Sequence, residues 1–258
     1  MDAHIQVTTA KKKLQLFGTS SVSRSTAAGV ERSMAGYSAF AWMLVPVVTL
    51  IDVSLARWFA TSPLPGDIAK TIRLSEVYSN GAGVLFVVLA ILALAPKQRW
   101  RVPRLATMAM GASACATITK MFVLRPRPNQ LNLQFADANA AWLWRFDWKL
   151  EQAALLDSGT RAFPSADMAT ALALTVGLIL IFPRGRYLFA GLAILTMLER
   201  MMGNAHFCSD VLGGVAIGLF WCFVCLHPRL LGVVFDPIET QAEARPMNVP
   251  QGSLDRAA

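Results

Sequence analysis

Charged residues are scarce in this chain of 258 residues, since Asp, Glu, Lys and Arg together make up only 16% of it. Soluble domains carry about 25%. With 55% hydrophobic residues, this shortage argues against an ordinary soluble domain and indicates a membrane protein. The first 30 residues also lack an apolar core followed by a small-residue cleavage site, so we expect an unprocessed N-terminus without a secretory signal peptide.

Cysteine is scarce as well, with four residues in the chain. Cys222 and Cys225 have the spacing of a metal or redox pair. Their segment is apolar and carries no second ligand pair, so we interpret them as small buried side chains. Basic residues form no continuous stripe, although the net charge is +8. Because they are divided among the flanks of apolar segments, we expect no nucleic acid partner.

The chain contains six apolar segments, most of which approach the roughly 20 residues that cross a bilayer as a helix. We therefore predict an all-α, polytopic membrane protein with six transmembrane helices. The first segment carries Pro46, Asp52 and Arg57, so we expect it to kink or to end early. The segments cover residues 37–58, 77–95, 105–124, 166–182, 187–203 and 209–226.

The placement of basic residues predicts the orientation of these helices. Lys and Arg concentrate before segment one, between segments two and three, and between segments four and five. Since cytoplasmic flanks carry the excess of Lys and Arg, both termini should be cytoplasmic, and the links after segments one, three and five should face outward. In a plasma (inner) membrane this side is the periplasm or the exterior. The basic residues are Lys11, Lys12, Lys13, Arg24, Arg32, Lys97, Arg99, Arg101, Arg104, Arg184 and Arg186.

The two ends of the chain are polar and lack long apolar runs. Residues 1–35 are basic and poor in aromatics, and residues 229–258 combine prolines with mixed charges. Such compositions bury too little apolar surface to fold alone, so we expect both ends to be disordered and cytoplasmic. Residues 36–228 then form one six-helix membrane domain.

Residues with anion-binding chemistry follow the third segment. Lys120 lies near its outer end, and Arg125 and Arg127 come just after it. A proline after each arginine keeps the backbone extended. A lone lysine near a helix end commonly snorkels to the interface. A lysine and one or two arginines at a rigid corner also form an anion clamp, because guanidinium matches phosphate geometry and ammonium adds a point charge.

The outer link at residues 129–163 is rich in aromatic residues, with Trp142, Trp144, Phe146 and Trp148. This pattern favours a short amphipathic element in the outer interface, either as an anchor or as a contact to lipid headgroups.

Segment four begins with Ser165 and Asp167. A helix N-terminus has free backbone N–H groups and favours a bound anion. Ser165 is also a good N-cap, and the two interpretations are compatible.

The stretch from residue 198 to residue 214 places Arg200, His206 and Asp210 between two apolar segments. One interpretation of this stretch is a polar turn between two helices. Ionisable groups at the edge of a membrane segment favour the other interpretation, a functional site. The predicted topology brings this cluster to the same face as Lys120 and Ser165. A single phosphate site explains that agreement better than three independent turns.

Three ordered motifs resemble those of the type 2 phosphatidic acid phosphatase superfamily of membrane lipid phosphatases, related in fold to the vanadium-dependent haloperoxidases. The resemblance covers segments three to six. The first motif, Lys-six residues-Arg-Pro, appears as Lys120 to Arg127-Pro128. The second, Pro-Ser-Gly-His, appears in part, as Pro164-Ser165-Ala166-Asp167. The third, Ser-Arg-five residues-His-three residues-Asp, appears as Glu199-Arg200 with His206 and Asp210.

The resemblance implies a role for each matching residue. His206 would be the nucleophile that forms a phosphohistidine, and Asp210 would hold its other ring nitrogen. No metal or other cofactor would be needed. The groups expected to bind the phosphoryl oxygens are Lys120, Arg127, Arg200 and Ser165.

Two positions depart from the family pattern. Asp167 stands where the family has the histidine that protonates the leaving oxygen, and Glu199 stands where it has a serine. An aspartate acts as a general acid only where its surroundings keep it protonated. From the sequence, Glu199 could pair with Arg200, turn away, or share a proton with Asp167.

The function implied is an integral membrane phosphatase that removes phosphate from a lipid phosphate or lipid diphosphate at the outer face. Its partners would be that substrate and the surrounding membrane lipids. Two alternatives are a lipid phosphotransferase and a non-catalytic lipid-phosphate-binding protein of the same fold.

Overall fold

The computed structural model describes residues 31–62, 64–150 and 158–244, and this part of the chain is helical, which confirms the all-α prediction. A single two-stranded antiparallel ribbon is present in these ranges, β1 Val123–Leu124 with β2 Arg145–Phe146. The helices are α1 Glu31–Thr49, α2 Asp52–Thr61, α3 Gly66–Leu74, α4 Glu76–Ser79, α5 Gly81–Leu94, α6 Val102–Phe122, α7 Ala166–Ile181, α8 Arg186–Met202, α9 Cys208–Leu226 and α10 Gly232–Ala244.

Helices α6, α7 and α9 form the centre of the bundle, with α8 packed against α7. Small residues allow the closest approaches. A Cβ atom at Gly214 of α9 would lie 2.4 Å from the backbone oxygen of Ser165, so only glycine fits there. The facing side of α7 is lined by fully buried alanines, among them Ala169 and Ala173. The N-termini of α7 and α9 therefore lie side by side.

Local sequence signals account for several helix ends. Asn80 caps α5 by accepting a hydrogen bond from the backbone N–H of Gly83 at 2.8 Å. Ser165 caps α7 by accepting one from Met168 at 3.3 Å. The 3₁₀ segments Pro96–Arg101 and Pro183–Gly185 each begin with a proline, which fits the first position of a helical turn.

The apolar segments predicted from the sequence match the central helices closely. Both ends of α6, α7, α8 and α9 lie within three residues of the predicted bounds. Within the three described ranges, one helix is long and apolar enough to cross a membrane, Cys208–Leu226, and the number rises to three if each of two bent helix pairs counts as one span. The count of six transmembrane helices therefore stays a prediction.

The predicted irregularity of the first segment corresponds to a bend between α1 and α2. The axes of Glu31–Thr49 and Asp52–Thr61 differ by 71°. The break falls after Thr49 rather than at Pro46, and Asp52 begins the second helix fully buried. A second bend, of 73°, separates Gly66–Ser79 from Gly81–Leu94.

The ends of the described chain differ from the expected disorder. Residues 31–35 belong to α1, and α10 lies within the predicted tail of residues 229–258. Acidic side chains of α10 contact basic residues at the start of α6 and just before it. Glu243 pairs with Arg101 at 2.5 Å, and Asp236 and Glu239 both pair with Arg104. Residues 1–30 and 245–258 of the predicted ends lie outside the described residues.

The link between α6 and α7 covers one end of the bundle. It contains the ribbon, in which Val123 pairs with Phe146, and short 3₁₀ turns. The backbone of Arg125 adds two further bonds, donating to Thr160 at 2.7 Å and accepting from Ala162 at 2.9 Å. These contacts fix the backbone of the first motif above the start of α7.

Candidate active site

The residues singled out by the three motifs lie at one end of the bundle, where α6 and α8 end and α7 and α9 begin. The side chain of Lys120 interacts electrostatically with those of Arg127, Asp167, Arg200 and Asp210, so the three motifs lie within reach of one another. The antiparallel order of consecutive helices produces this arrangement, as the topology predicted.

Ser165 joins two of the motifs through its backbone. Its N–H donates to the carbonyl oxygen of Asp210 at 3.0 Å, while its buried hydroxyl caps α7. The N-terminus of α7 is thereby tied to the first turn of α9. The N-cap interpretation of Ser165 is confirmed, and its proposed contact with phosphate stays a prediction.

His206 is buried between the end of α8 and the start of α9, with 3% of its surface exposed. Its Nδ1 lies 3.8 Å from Oδ2 of Asp210, which is too long for a hydrogen bond. Nδ1 has no hydrogen-bond partner in the described part of the chain. Burial lowers the pKa of His206, and the cations Lys120 and Arg127 act in the same direction while Asp210 opposes them. The lowered pKa favours the neutral imidazole at neutral pH, and with the proton on Nδ1, which faces Asp210, the lone pair lies on Nε2.

Asp210 is fully buried and has both oxygens engaged. Oδ2 accepts the backbone N–H of Phe207 at 2.8 Å and faces His206. Oδ1 pairs with Arg125. The carboxylate is therefore held in one orientation beside the imidazole.

Arg125 and Asp52 also lie at the site, although neither belongs to the three motifs. Arg125, which the sequence offered as a second arginine of the anion clamp, is instead paired with two carboxylates of the protein. Both side chains have no exposed surface, and they pair at 2.7 Å. Arg125 also donates to the hydroxyl of Ser209 at 2.7 Å. Its guanidinium lies between the rings of Trp144 and Phe207, 4.6 Å from each ring centroid.

One sequence signal could have found this pair. Asp52 is an acidic residue within an apolar segment, and such a residue needs a cationic partner when it is buried. Trp144, which the sequence grouped with the interfacial aromatics, instead packs on Arg125. Trp142, Phe146 and Trp148 of the same link are exposed, and their place in a membrane interface stays a prediction.

Arg200 is surrounded by three carboxylates. It pairs with Asp167 at 2.7 Å, with its neighbour Glu199, and with Glu76 at 3.5 Å. The two departures from the family pattern, Asp167 and Glu199, thus meet on one arginine. Of the alternatives that the sequence left open for Glu199, the structure supports pairing with Arg200.

Lys120 and Arg127 differ from Arg200 in having free cationic groups. In residues 31–62, 64–150 and 158–244, neither side chain has a hydrogen-bond or ion-pair partner. Nε of Arg127 is buried without a partner. Two such cations beside a neutral imidazole favour an anionic ligand. No group of three or more His, Cys, Asp or Glu residues with metal-site geometry occurs in the same ranges.

Fold and site together define an all-helical protein with a buried histidine and its carboxylate partner at one end of a bundle. Four basic side chains lie at the same end, Lys120, Arg125, Arg127 and Arg200. The family follows from comparison with known proteins. Residues 101–229, half of the chain, match the PAP2 superfamily, and the chain belongs to this superfamily. No curated protein and no solved structure matches it. Membership supports a phosphatase-type function in general, and with the apolar helices it indicates a membrane protein.

Proposed function

We propose that this protein hydrolyses the terminal phosphate of a lipid diphosphate at the outer membrane face. The observation that carries the proposal is a buried His206 beside Asp210, together with the unpaired cations Lys120 and Arg127. Imidazole supplies the nucleophile, and the cations supply the charge that a phosphoryl group requires. The lipid class is supported by the apolar surface of the helices, with exposed residues such as Phe86 and Leu94.

Substrate binding places the terminal phosphate between the two free cations. Lys120 and Arg127 contact its oxygens, and the N-terminus of α7 after Ser165 adds free backbone N–H groups. Arg200 can join only by exchanging part of its contact with Asp167 or Glu76. These two carboxylates are the more exposed partners of Arg200, at 35% and 59% of the side chain.

The reaction proceeds in two displacements. The lone pair of His206 attacks the terminal phosphorus, the phosphoanhydride P–O bond breaks, and the lipid monophosphate leaves with the electron pair. Positive charge develops on the imidazole, and Asp210 stabilises it. Water then attacks the phosphohistidine, the P–N bond breaks, inorganic phosphate leaves, and the carboxylate of Asp167 accepts the proton from the water.

The contacts of Asp167 bear on which leaving group can depart in the first displacement. Asp167 forms an ion pair with Arg200 at 2.7 Å, and a carboxylate engaged in this way has no proton to give. An alkoxide leaving from a simple lipid phosphate needs that proton. A phosphate monoester does not, because it is a stable anion at neutral pH, with a second pKa of about 6. The geometry therefore favours a diphosphate over a monophosphate.

The test uses a matched pair of substrates, an isoprenyl diphosphate and the monophosphate of the same alcohol. Purified protein in nanodiscs should release phosphate from the diphosphate at least ~10²-fold faster than from the monophosphate, which is the lower range of a general acid's contribution. His206→Ala should abolish phosphate release from both substrates. It should also prevent formation of the acid-labile phosphohistidine that the wild type forms with the diphosphate. Absence of phosphate release from both substrates would overturn the proposal.

A second candidate function rests on the saturation of Arg200 by three carboxylates, since this arginine is withdrawn from phosphate. The protein would then bind a lipid phosphate without cleaving it. Binding of the isoprenyl diphosphate by both the wild type and His206→Ala, with no phosphate released by either, would support this candidate over the first.

A further inference from the structure

We propose that Asp52 is a positioning residue of the reaction, which acts through Arg125 to keep Asp210 available to His206. The inference rests on the proposed function, because it assigns His206 as the nucleophile. Asp52 lies outside the family match of residues 101–229 and reaches the site from the bend between α1 and α2.

The first support is a closed network of hydrogen bonds around Arg125. One of its terminal nitrogens contacts Asp52 at 2.7 Å, and the other contacts Asp210. Ser209 closes the ring. Its backbone N–H donates to Asp52 at 3.0 Å, its hydroxyl donates to the same carboxylate, and its oxygen accepts from Arg125. A hydroxyl has one proton and two lone pairs, so these bonds are mutually compatible.

The second support is the charge of the network. Arg125 alone would neutralise Asp210, and the carboxylate would then do little for a positive imidazole. Asp52 adds a second negative charge to the same guanidinium, so the three groups together carry one excess negative charge. This excess lies beside His206, where positive charge develops as the N–P bond forms.

The third support is the exclusion of solvent. The side chains of Arg125, Asp52 and Asp210 have no exposed surface, and the rings of Trp144 and Phe207 cover the guanidinium. Charges interact more strongly in such surroundings than in water. Asp52 therefore influences His206 although the two are not in direct hydrogen-bond contact.

A purely structural role for Asp52 is the competing explanation, because the network also joins α2 to α9. The two roles differ in what they change. A structural staple affects the stability of the bend alone. A positioning residue changes the proton affinity of His206, which faces Asp210 from α9, Lys120 from α6 and Arg127 from the following loop.

The experiment compares Asp52→Asn with Thr49→Val. Both sites are buried at the same bend, and among the described residues the hydroxyl of Thr49 donates to the carbonyl of Val45 alone, at 2.8 Å. Thr49→Val thus perturbs the bend without changing charge. We follow the His206 titration by ¹⁵N NMR of histidine-labelled protein in micelles. The chain has three histidines, and His206→Ala assigns the signal.

Asp52→Asn should lower the pKa of His206 by about one pH unit, since it removes a nearby negative charge. It should also reduce kcat about 10- to 100-fold, the range seen when a partner that orients a metal-bound histidine is removed, with KM unchanged. Thr49→Val should change neither quantity. An unaltered pKa in folded Asp52→Asn would overturn the proposal. The titration is independent of turnover, so an inactive wild type would count against the proposed function alone.

If Asp52→Asn does not fold, Ser209→Ala tests the positioning role of Asp52 instead. It removes the hydroxyl that joins Asp52 to Arg125 and leaves every charge in place. We expect the pKa of His206 and kcat both to fall, by less than in Asp52→Asn, because Asp52 is then held less closely to Arg125. A pKa of His206 equal to that of the Thr49→Val control would overturn the positioning role.

Discussion

Two arginines at the site, Arg125 and Arg200, differ in burial and in how their charge is balanced. Arg125 has no exposed surface, lies between two buried carboxylates, and is covered by two aromatic rings. Arg200 is 12% exposed and meets three carboxylates, of which Glu76 is 59% exposed. A buried pair cannot exchange partners without leaving a charge unpaired, whereas a pair that reaches solvent can. Arg125 is therefore fixed within its network, whereas Arg200 can exchange partners.

The largest effect on stability should come from removing the buried arginine, Arg125. Arg125→Met leaves Asp52 and Asp210 buried without their cation, which costs about 3–5 kcal/mol of stability for a buried ion pair. Thermal unfolding in detergent measures the loss. Arg127→Met is the matched control, two residues away and without an ion pair to any described residue, and should cost less than about 1 kcal/mol. Equal losses in the two variants would contradict a scaffold role for Arg125.

A second, smaller effect should come from restoring the family pattern around Arg200. The double variant Asp167→His with Glu199→Ser frees the arginine from two carboxylates and supplies an acid for the leaving oxygen. Hydrolysis of an isoprenyl monophosphate should rise by about 10²-fold relative to the diphosphate. Glu199→Ser alone is the control, since it releases the arginine without adding the acid. A double variant that retains the wild-type preference would contradict the assignment of Asp167.

The smallest effect should come from the most exposed partner of Arg200. Glu76→Gln removes a pair of 3.5 Å at the surface, and such pairs contribute at most about 1 kcal/mol. Unfolding should change by less than about 0.5 kcal/mol, and turnover of the diphosphate should stay the same or rise slightly. A loss of stability comparable to that of Arg125→Met would contradict the distinction drawn between the two arginines.

The sequence predicted the parts of this molecule that local patterns determine. The bounds of α6 to α9 follow from apolar runs, with Ser165 marking the start of α7. The shared end of the bundle follows from the alternation of basic flanks. The ion pair of Asp52 with Arg125 joins residues 73 positions apart, and no periodicity encodes such a partner. Helix α10 was missed for the same reason, because its carboxylates gain their role only beside Arg101 and Arg104.

The hydrogen bond from Ser165 to the carbonyl of Asp210, with the tight packing at Gly214, has a consequence for the positions of Asp167 and Glu199. The bond joins backbone to backbone, and the close packing needs only a glycine at position 214. Neither contact involves the side chain of Asp167 or of Glu199. These two side chains can therefore be exchanged, and the chemistry at this end of the bundle altered, without moving the first turn of α7 relative to that of α9.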